Sequence, residues 1–293
     1  MIRATTSALV STSWLSAQLK DGLKNLRILD ASWHMKQTGR NAREEYLQKR
    51  IPTAGFFDID AVADKDVDLP HMLPDTHTFA REIGKLGVLN NHHVVVYDNN
   101  EAAGIFSATR LWWTLRVFGH DQVSVLDGGL PKWQREGLLV ETGPPLAVKE
   151  QLFIASFRSQ LVCGFADIQK NIDNQKNQVV DARSPGRFEG TEPEPRADIP
   201  SGHIPNSINI HYQDCVDSSK KVMKTPEQLQ NMFRSSGIDL SHPFIATCGS
   251  GITASLLAFA AYTCGQQHVA VYDGSWTEWA QRSSKRTHNS LKD

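Results

Sequence analysis

The sequence predicts an α/β protein made of two tandem copies of one fold, each a mainly parallel central sheet flanked by helices. Three observations predict it. Short β-branched runs alternate with helix-forming segments along the 293 residues. Four short motifs of the first half return in the same order in the second, at an offset of about 150 residues. The composition is 40% hydrophobic and 22% charged, that of a globular chain long enough for two domains with a core each.

The motifs fix the register of the repeat. Ile28-Leu29-Asp30-Ala31-Ser32 answers Val179-Val180-Asp181-Ala182-Arg183, and Arg50-Ile51-Pro52-Thr53-Ala54 answers His203-Ile204-Pro205-Asn206-Ser207. Val94-Val95-Val96-Tyr97-Asp98 answers Phe244-Ile245-Ala246-Thr247-Cys248. Leu126-Asp127-Gly128-Gly129 with Trp133 answers Tyr272-Asp273-Gly274-Ser275 with Trp279.

Taken in order, the stretch from Met1 to Ser7 is hydroxyl-rich and the chain has no acidic residue before Asp21, a faint presequence-like pattern. A strand or helix is expected from about Val10. Strands are expected at Leu26–Asp30, Val94–Tyr97 and Val123–Leu126, then at Gln178–Asp181, Phe244–Thr247 and Val269–Tyr272. Helices are expected at Thr78–Leu86 and Ile105–Phe118, then at Pro226–Ser235 and Ala254–Tyr262, the last closed by Gly265. Trp112, Trp113 and Phe118 fall at helical spacing and read as core. Glu141-Thr142-Gly143-Pro144-Pro145 interrupts any regular element. The expected layout is an N-terminal domain over residues 1–140, a linker over 141–165 and a C-terminal domain over 166–293.

Charge excludes several classes of partner. Lys plus Arg total 31 against 32 Asp plus Glu, so no overall field draws the chain to nucleic acid or to a membrane surface. No apolar run approaches the roughly 20 residues of a spanning helix. Cys163, Cys215, Cys248 and Cys264 form no CxxC pair and no ligand spacing, so no metal and no cofactor are expected and the thiols read as reduced.

Cys248 is the candidate nucleophile. It ends an apolar run and opens Cys248-Gly249-Ser250-Gly251-Ile252-Thr253, which leads into a helix-forming segment. A thiol there meets loop amides and the positive end of the following helix, surroundings that favour the thiolate. Ligands of open α/β sheets bind beyond the carboxyl ends of the strands, where this loop falls. In the first copy Asp98 takes the cysteine's place, and three extra positions precede Gly104. A carboxylate cannot replace a thiolate nucleophile, so the first copy is expected to be catalytically inactive.

These residues resemble the tandem-domain, rhodanese-type sulfurtransferases, from about Leu9 to Gln281, and within them the branch that takes sulfur from 3-mercaptopyruvate. The resemblance is carried by Phe56-Phe57-Asp58-Ile59-Asp60, His71-Met72-Leu73-Pro74, Gly186-Arg187-Phe188, Gly190-Thr191-Glu192-Pro193-Glu194-Pro195-Arg196, Gly202-His203-Ile204-Pro205 and the Cys248 loop. It implies two rhodanese-like domains and a persulfide on Cys248 that is passed to a thiol, thioredoxin or cyanide. It implies donor-carboxylate binding by Arg187 and Arg196, with Gly249, Gly251, Ile252 and Thr253 lining the donor. It also implies an Asp60–His71–Ser250 proton relay, its first two members from the first copy. A monomer or weak dimer in the cytoplasm, the mitochondrion or both is expected.

The chemistry agrees with that reading. A guanidinium fork matches a carboxylate and reaches the adjacent ketone oxygen. Breaking the C–S bond leaves an enolate that a hydroxyl linked to histidine can protonate. Read alone, Arg187 and Arg196 fit surface ion pairs with Glu189, Glu192 or Glu194, His71 fits a loop histidine, Asp60 a turn residue and His203 a turn buttress. Thiosulfate as donor would suit a loop of the form Cys-Arg-Lys-Gly, whereas this loop offers the uncharged Gly249 and Ser250. A cysteine phosphatase needs arginine six residues after the cysteine, where Ala254 stands. A non-catalytic interaction module is the remaining alternative.

Overall fold

Five short strands of the first half, β1 (Leu9–Val10), β2 (Leu26–Asp30), β3 (Gly55–Phe56), β4 (His93–Tyr97) and β5 (Val123–Leu126), form a sheet in the order β1-β5-β4-β2-β3. The second half supplies β6 (Val162–Cys163), β7 (Gln178–Asp181) and β8 (Ser207–Asn209), then a hairpin of β9 (Val216–Asp217) and β10 (Val222–Met223), then β11 (Phe244–Thr247) and β12 (Ala270–Tyr272). Its sheet runs β6-β12-β11-β7-β8, the same order position for position. All pairings within the two large sheets are parallel. Strands covered on both faces read as continuous apolar runs, and Val94-Val95-Val96-Tyr97 and Phe244-Ile245-Ala246 are buried accordingly. The computed structural model describes residues 7–22 and 25–289, with side chains to residue 283; Met1–Thr6, most of the presequence-like stretch, lie outside the described residues.

The first-half helices are α1 (Thr12–Lys20), α2 (Ala42–Gln48), α3 (Ile59–Val62), α4 (Thr76–Lys85), α5 (Ala108–Val117) and α6 (Gly129–Arg135). The second half has α7 (Phe165–Asn174), α8 (Pro185–Glu189), α9 (Pro226–Ser235), α10 (Ile252–Thr263) and α11 (Ser275–Asn289). Caps explain where the expected ends moved. Asp75 accepts from the His77 and Thr78 amides, so α4 starts earlier than Thr78. The Asp98 carboxylate takes the Phe106 and Ala108 amides, so α5 begins at Ala108 rather than Ile105. Gly251, at φ 83, lets α10 begin directly after the loop. Thr225 and Gln228 close a capping box on α9 with Pro226 in its first turn. Trp112, Trp113 and Phe118 are core residues.

The chain divides into two compact units. One takes the chain up to Ala63, Pro74–Arg158 and Val216–Lys224; the other takes Asp64–Leu73, Ser159–Cys215 and the chain from Thr225. Each unit thus incorporates a short segment from the other half of the sequence. The exchange is reciprocal: the Met223 amide donates to Asp127 at 2.8 Å in one unit, and the Leu73 amide donates to Asp273 at 2.8 Å in the other. Asp127 and Asp273 are equivalent in the repeat. Thr142–Arg158 runs along the first unit, its backbone bonded to Gly84, Val117 and Phe118. Among the described residues no helix is long and apolar enough to cross a membrane.

Candidate active site

Cys248 follows the last residue of β11 and is buried. Its sulfur accepts the Gly251 amide at 3.2 Å, and α10 begins one residue later. A donated amide and the positive end of α10 therefore act on any negative charge the sulfur carries. The backbone around it is held from α11. The Ser275 hydroxyl accepts the Cys248 amide at 3.2 Å and donates to the Tyr272 carbonyl at 2.7 Å. Trp276 donates its amide to the Cys248 carbonyl at 2.9 Å. Thr277 gives the Gly249 carbonyl both its amide, at 3.1 Å, and its hydroxyl, at 2.7 Å.

Arg187, on the short helix α8, lies across this loop. A Cβ built on Gly249 would stand 2.8 Å from Arg187 Nη2. Arg187 is fixed by Glu194, with Nε to Oε1 at 3.1 Å and Nη2 to Oε2 at 2.6 Å. Glu194 also accepts from Arg183 at 2.8 Å, and Arg183 forks onto Asp181 at the end of β7. The Arg183 side chain is 1% exposed and lies over the Trp276 ring, 4.6 Å from its centroid. The buried chain Asp181–Arg183–Glu194 thus leads to one half-buried guanidinium at the thiol loop. Of the three glutamates open to it in the sequence, Arg187 takes Glu194. His211, in the same unit, is held below the usual imidazole range, first by burial and also by the Arg187 charge.

Ser250, Gly249, Gly251 and Ile252 are buried with Cys248, and Thr253 is half-buried in the first turn of α10. Arg196 is half-buried nine residues beyond Arg187, and its carbonyl accepts the Ile199 amide. His71 is buried in the unit that holds Cys248, because Asp64–Leu73 folds there, although its sequence position assigns it to the first copy. Asp60 is exposed in α3 of the other unit, where its carboxylate accepts the Trp33 indole N–H at 2.9 Å. His203 stacks on Phe188 and meets its carbonyl through Nδ1 at 2.9 Å, a turn buttress. Of the other cysteines, burial pushes Cys163 up to about 12, and burial also raises Cys264.

The first unit repeats this architecture without the thiol. Asp98 is buried, and its carboxylate takes amides from Asn100, Phe106 and Ala108 at 3.2, 2.8 and 2.7 Å. Arg40 forks onto Glu45 at 2.7 and 2.6 Å as Arg187 does onto Glu194, and His34 meets Glu45 at 3.0 Å where Arg183 meets Glu194. Arg183, Glu194 and Thr277 were not legible as site residues in the sequence. The available signal was an arginine two residues beyond the strand-end aspartate, facing a Glu-Pro-Glu-Pro turn.

Both halves match the family model of the rhodanese-like domain, over residues 11–136 and 165–282. The chain is 45% identical to human 3-mercaptopyruvate sulfurtransferase, over 94% of this chain and 93% of that protein. It is 44% identical to bovine thiosulfate sulfurtransferase, over 96% and 94%. The solved structure of SseA from Escherichia coli, of the 3-mercaptopyruvate group, superposes with a TM-score of 0.82 at 37% identity, covering 92% of this chain and 99% of that one. The chain belongs to the rhodanese-like family and carries its domain twice.

Proposed function

We propose that the chain is a sulfurtransferase that moves sulfur from 3-mercaptopyruvate to a thiol acceptor through a persulfide on Cys248. The observation that carries this reading is the fixed guanidinium of Arg187 beside a thiol whose sulfur accepts a loop amide. The Cys248 thiolate attacks the donor sulfur and the C–S bond breaks. Its electron pair goes to the pyruvate carbon as an enolate, which takes a proton and leaves as pyruvate. An acceptor thiolate then attacks the outer sulfur and releases Cys248 as a thiolate. Arg187 and Arg196 bind the donor carboxylate, and Gly249, Gly251, Ile252 and Thr253 line it. Ser250 and His71 deliver the proton, with Asp60 as the relay's third member. Placement of His71 and Ser250 in one unit supports the pairing of those two; the assignment of Asp60 rests on the family resemblance. Thioredoxin and small thiols are the proposed acceptors, for a monomer or weak dimer in the cytoplasm or the mitochondrion.

Sequence similarity alone does not choose between donors, since the human 3-mercaptopyruvate enzyme and the bovine thiosulfate enzyme are nearly equally similar. The loop chooses. At Gly249 and Ser250 it has no cation for a thiosulfate dianion. Comparing kcat/KM for the two donors, with cyanide as acceptor, tests this: 3-mercaptopyruvate is expected to be the better, and thiosulfate equal or better overturns the donor assignment.

A further inference from the structure

The two units hold the same arginine–glutamate fork over the same loop position, yet the arginines end differently. In the first unit Arg40 turns Nη2 onto the Asn99 carbonyl at 3.0 Å, in addition to the fork on Glu45. Asn99 follows Asp98 as Gly249 follows Cys248. In the second unit the corresponding carbonyl, Gly249, is filled by Thr277, whose amide and hydroxyl donate at 3.1 and 2.7 Å. A carbonyl oxygen has two lone pairs, and Thr277 takes both. Thr277 is 4% exposed, so these bonds are shielded from water.

The repeat explains the asymmetry. Asp273-Gly274-Ser275-Trp276-Thr277 answers Asp127-Gly128-Gly129-Leu130-Pro131. Trp276 donates its amide to the Cys248 carbonyl as Leu130 does to the Asp98 carbonyl, at 2.9 and 3.0 Å. At the next position the copies part. Pro131 has neither an N–H nor a hydroxyl to give, and the Asn99 carbonyl takes its hydrogen from Arg40.

We propose that Thr277 is a positioning residue: by saturating the Gly249 carbonyl it keeps Arg187 from bonding its own loop and leaves the outer edge of that guanidinium for the donor's carboxylate. Glu194 occupies Nε and one hydrogen of Nη2. The remaining Nη2 hydrogen and Nη1 form an end-on fork that fits a carboxylate. This inference rests on the reading of Arg187 as the donor-carboxylate ligand.

The test uses the full chain with Thr277→Val, Thr277→Ser and Arg187→Lys, and two donors. One is 3-mercaptopyruvate; the other is mercaptoacetone, which has the same thiol and ketone without the carboxylate. Thr277→Val keeps the amide bond and frees one lone pair for Arg187. Its KM for 3-mercaptopyruvate is expected to rise about tenfold with kcat held, the loss of about one charge-assisted hydrogen bond. The loss is much smaller with mercaptoacetone than with 3-mercaptopyruvate, and Thr277→Ser restores the wild-type KM. An unchanged KM in Thr277→Val overturns the proposal, and so does an equal loss with both donors, which marks a merely structural role. If Arg187→Lys leaves the KM for 3-mercaptopyruvate unchanged, the donor reading itself falls, and this proposal with it.

Discussion

Arg187 lies so close over Gly249 that the position of a Cβ there is 2.8 Å from its Nη2. Gly249 does not need a left-handed backbone, so its hydrogen side chain serves the arginine and not the turn. Gly249→Ala is therefore expected to fold, with a stability loss limited to the loosened Arg187–Glu194 fork, because the colliding atom is a side-chain end and not backbone. The guanidinium must shift, and KM for 3-mercaptopyruvate should rise about tenfold with little change in kcat. Steady-state kinetics alongside a urea titration checks both halves of this expectation.

Glu194 joins a fully buried Arg183 to Arg187. Neutralising it leaves buried positive charge with only Asp181 opposite. Glu194→Gln is expected to cost about 3 kcal/mol of stability, the usual scale for breaking one side of a buried ion pair, and to raise KM as Arg187 loses its anchor. A denaturant midpoint near wild type contradicts it.

Asp30 is the first unit's counterpart of Asp181, but Ser32 stands where Arg183 would pair with it. Burial pushes Asp30 up to about 7, against lowering by hydrogen bonds from Ser32 and Tyr97. The folded state therefore holds this proton more tightly than the unfolded chain. Stability is lost as pH rises from the unfolded value, near 4, to about 7 and stays lost above it. Asp30→Asn keeps an acceptor for the Ser32 amide and should stabilise the protein at pH 8 by ~2 kcal/mol or more, with little effect at pH 4. Urea titrations at the two pH values check the sign.

Gly104 has φ 74, and a Cβ there would stand 2.0 Å from the Lys221 carbonyl oxygen of the exchanged segment. Backbone cannot yield as a side-chain tip can. Gly104→Ala is expected to destabilise by ~2 kcal/mol or more, from left-handed strain and the collision together. Thermal unfolding reads this directly, and an unchanged melting temperature contradicts the packing of Val216–Lys224 on the first unit.

Much of this was written in the chain. The central strands were legible because parallel strands covered on both faces read as apolar runs, and the pairing of Asp98 with Cys248 followed from their register. Edge strands of two residues, such as β1 and β6, carry too few positions for a period. The exchange of Asp64–Leu73 and Val216–Lys224 left no local trace, since neither segment has a period and each meets a distant aspartate through a backbone amide. That is why His71 is assigned by sequence to one copy and folds with the other. Arg183 and Glu194 look like surface charges in the sequence because the bond between them spans eleven residues, and because the ring that covers Arg183, Trp276, lies far along the chain. Thr277 becomes visible once the copies are superposed and Pro131 is found opposite it.

The central claim is that Cys248 carries the sulfur. Intact-mass spectrometry of the protein after exposure to 3-mercaptopyruvate, without acceptor, tests it most directly. The wild type should gain the mass of one sulfur atom, lose it on addition of a thiol, and Cys248→Ser should gain nothing. No gain in the wild type, or the same gain in Cys248→Ser, would contradict the account.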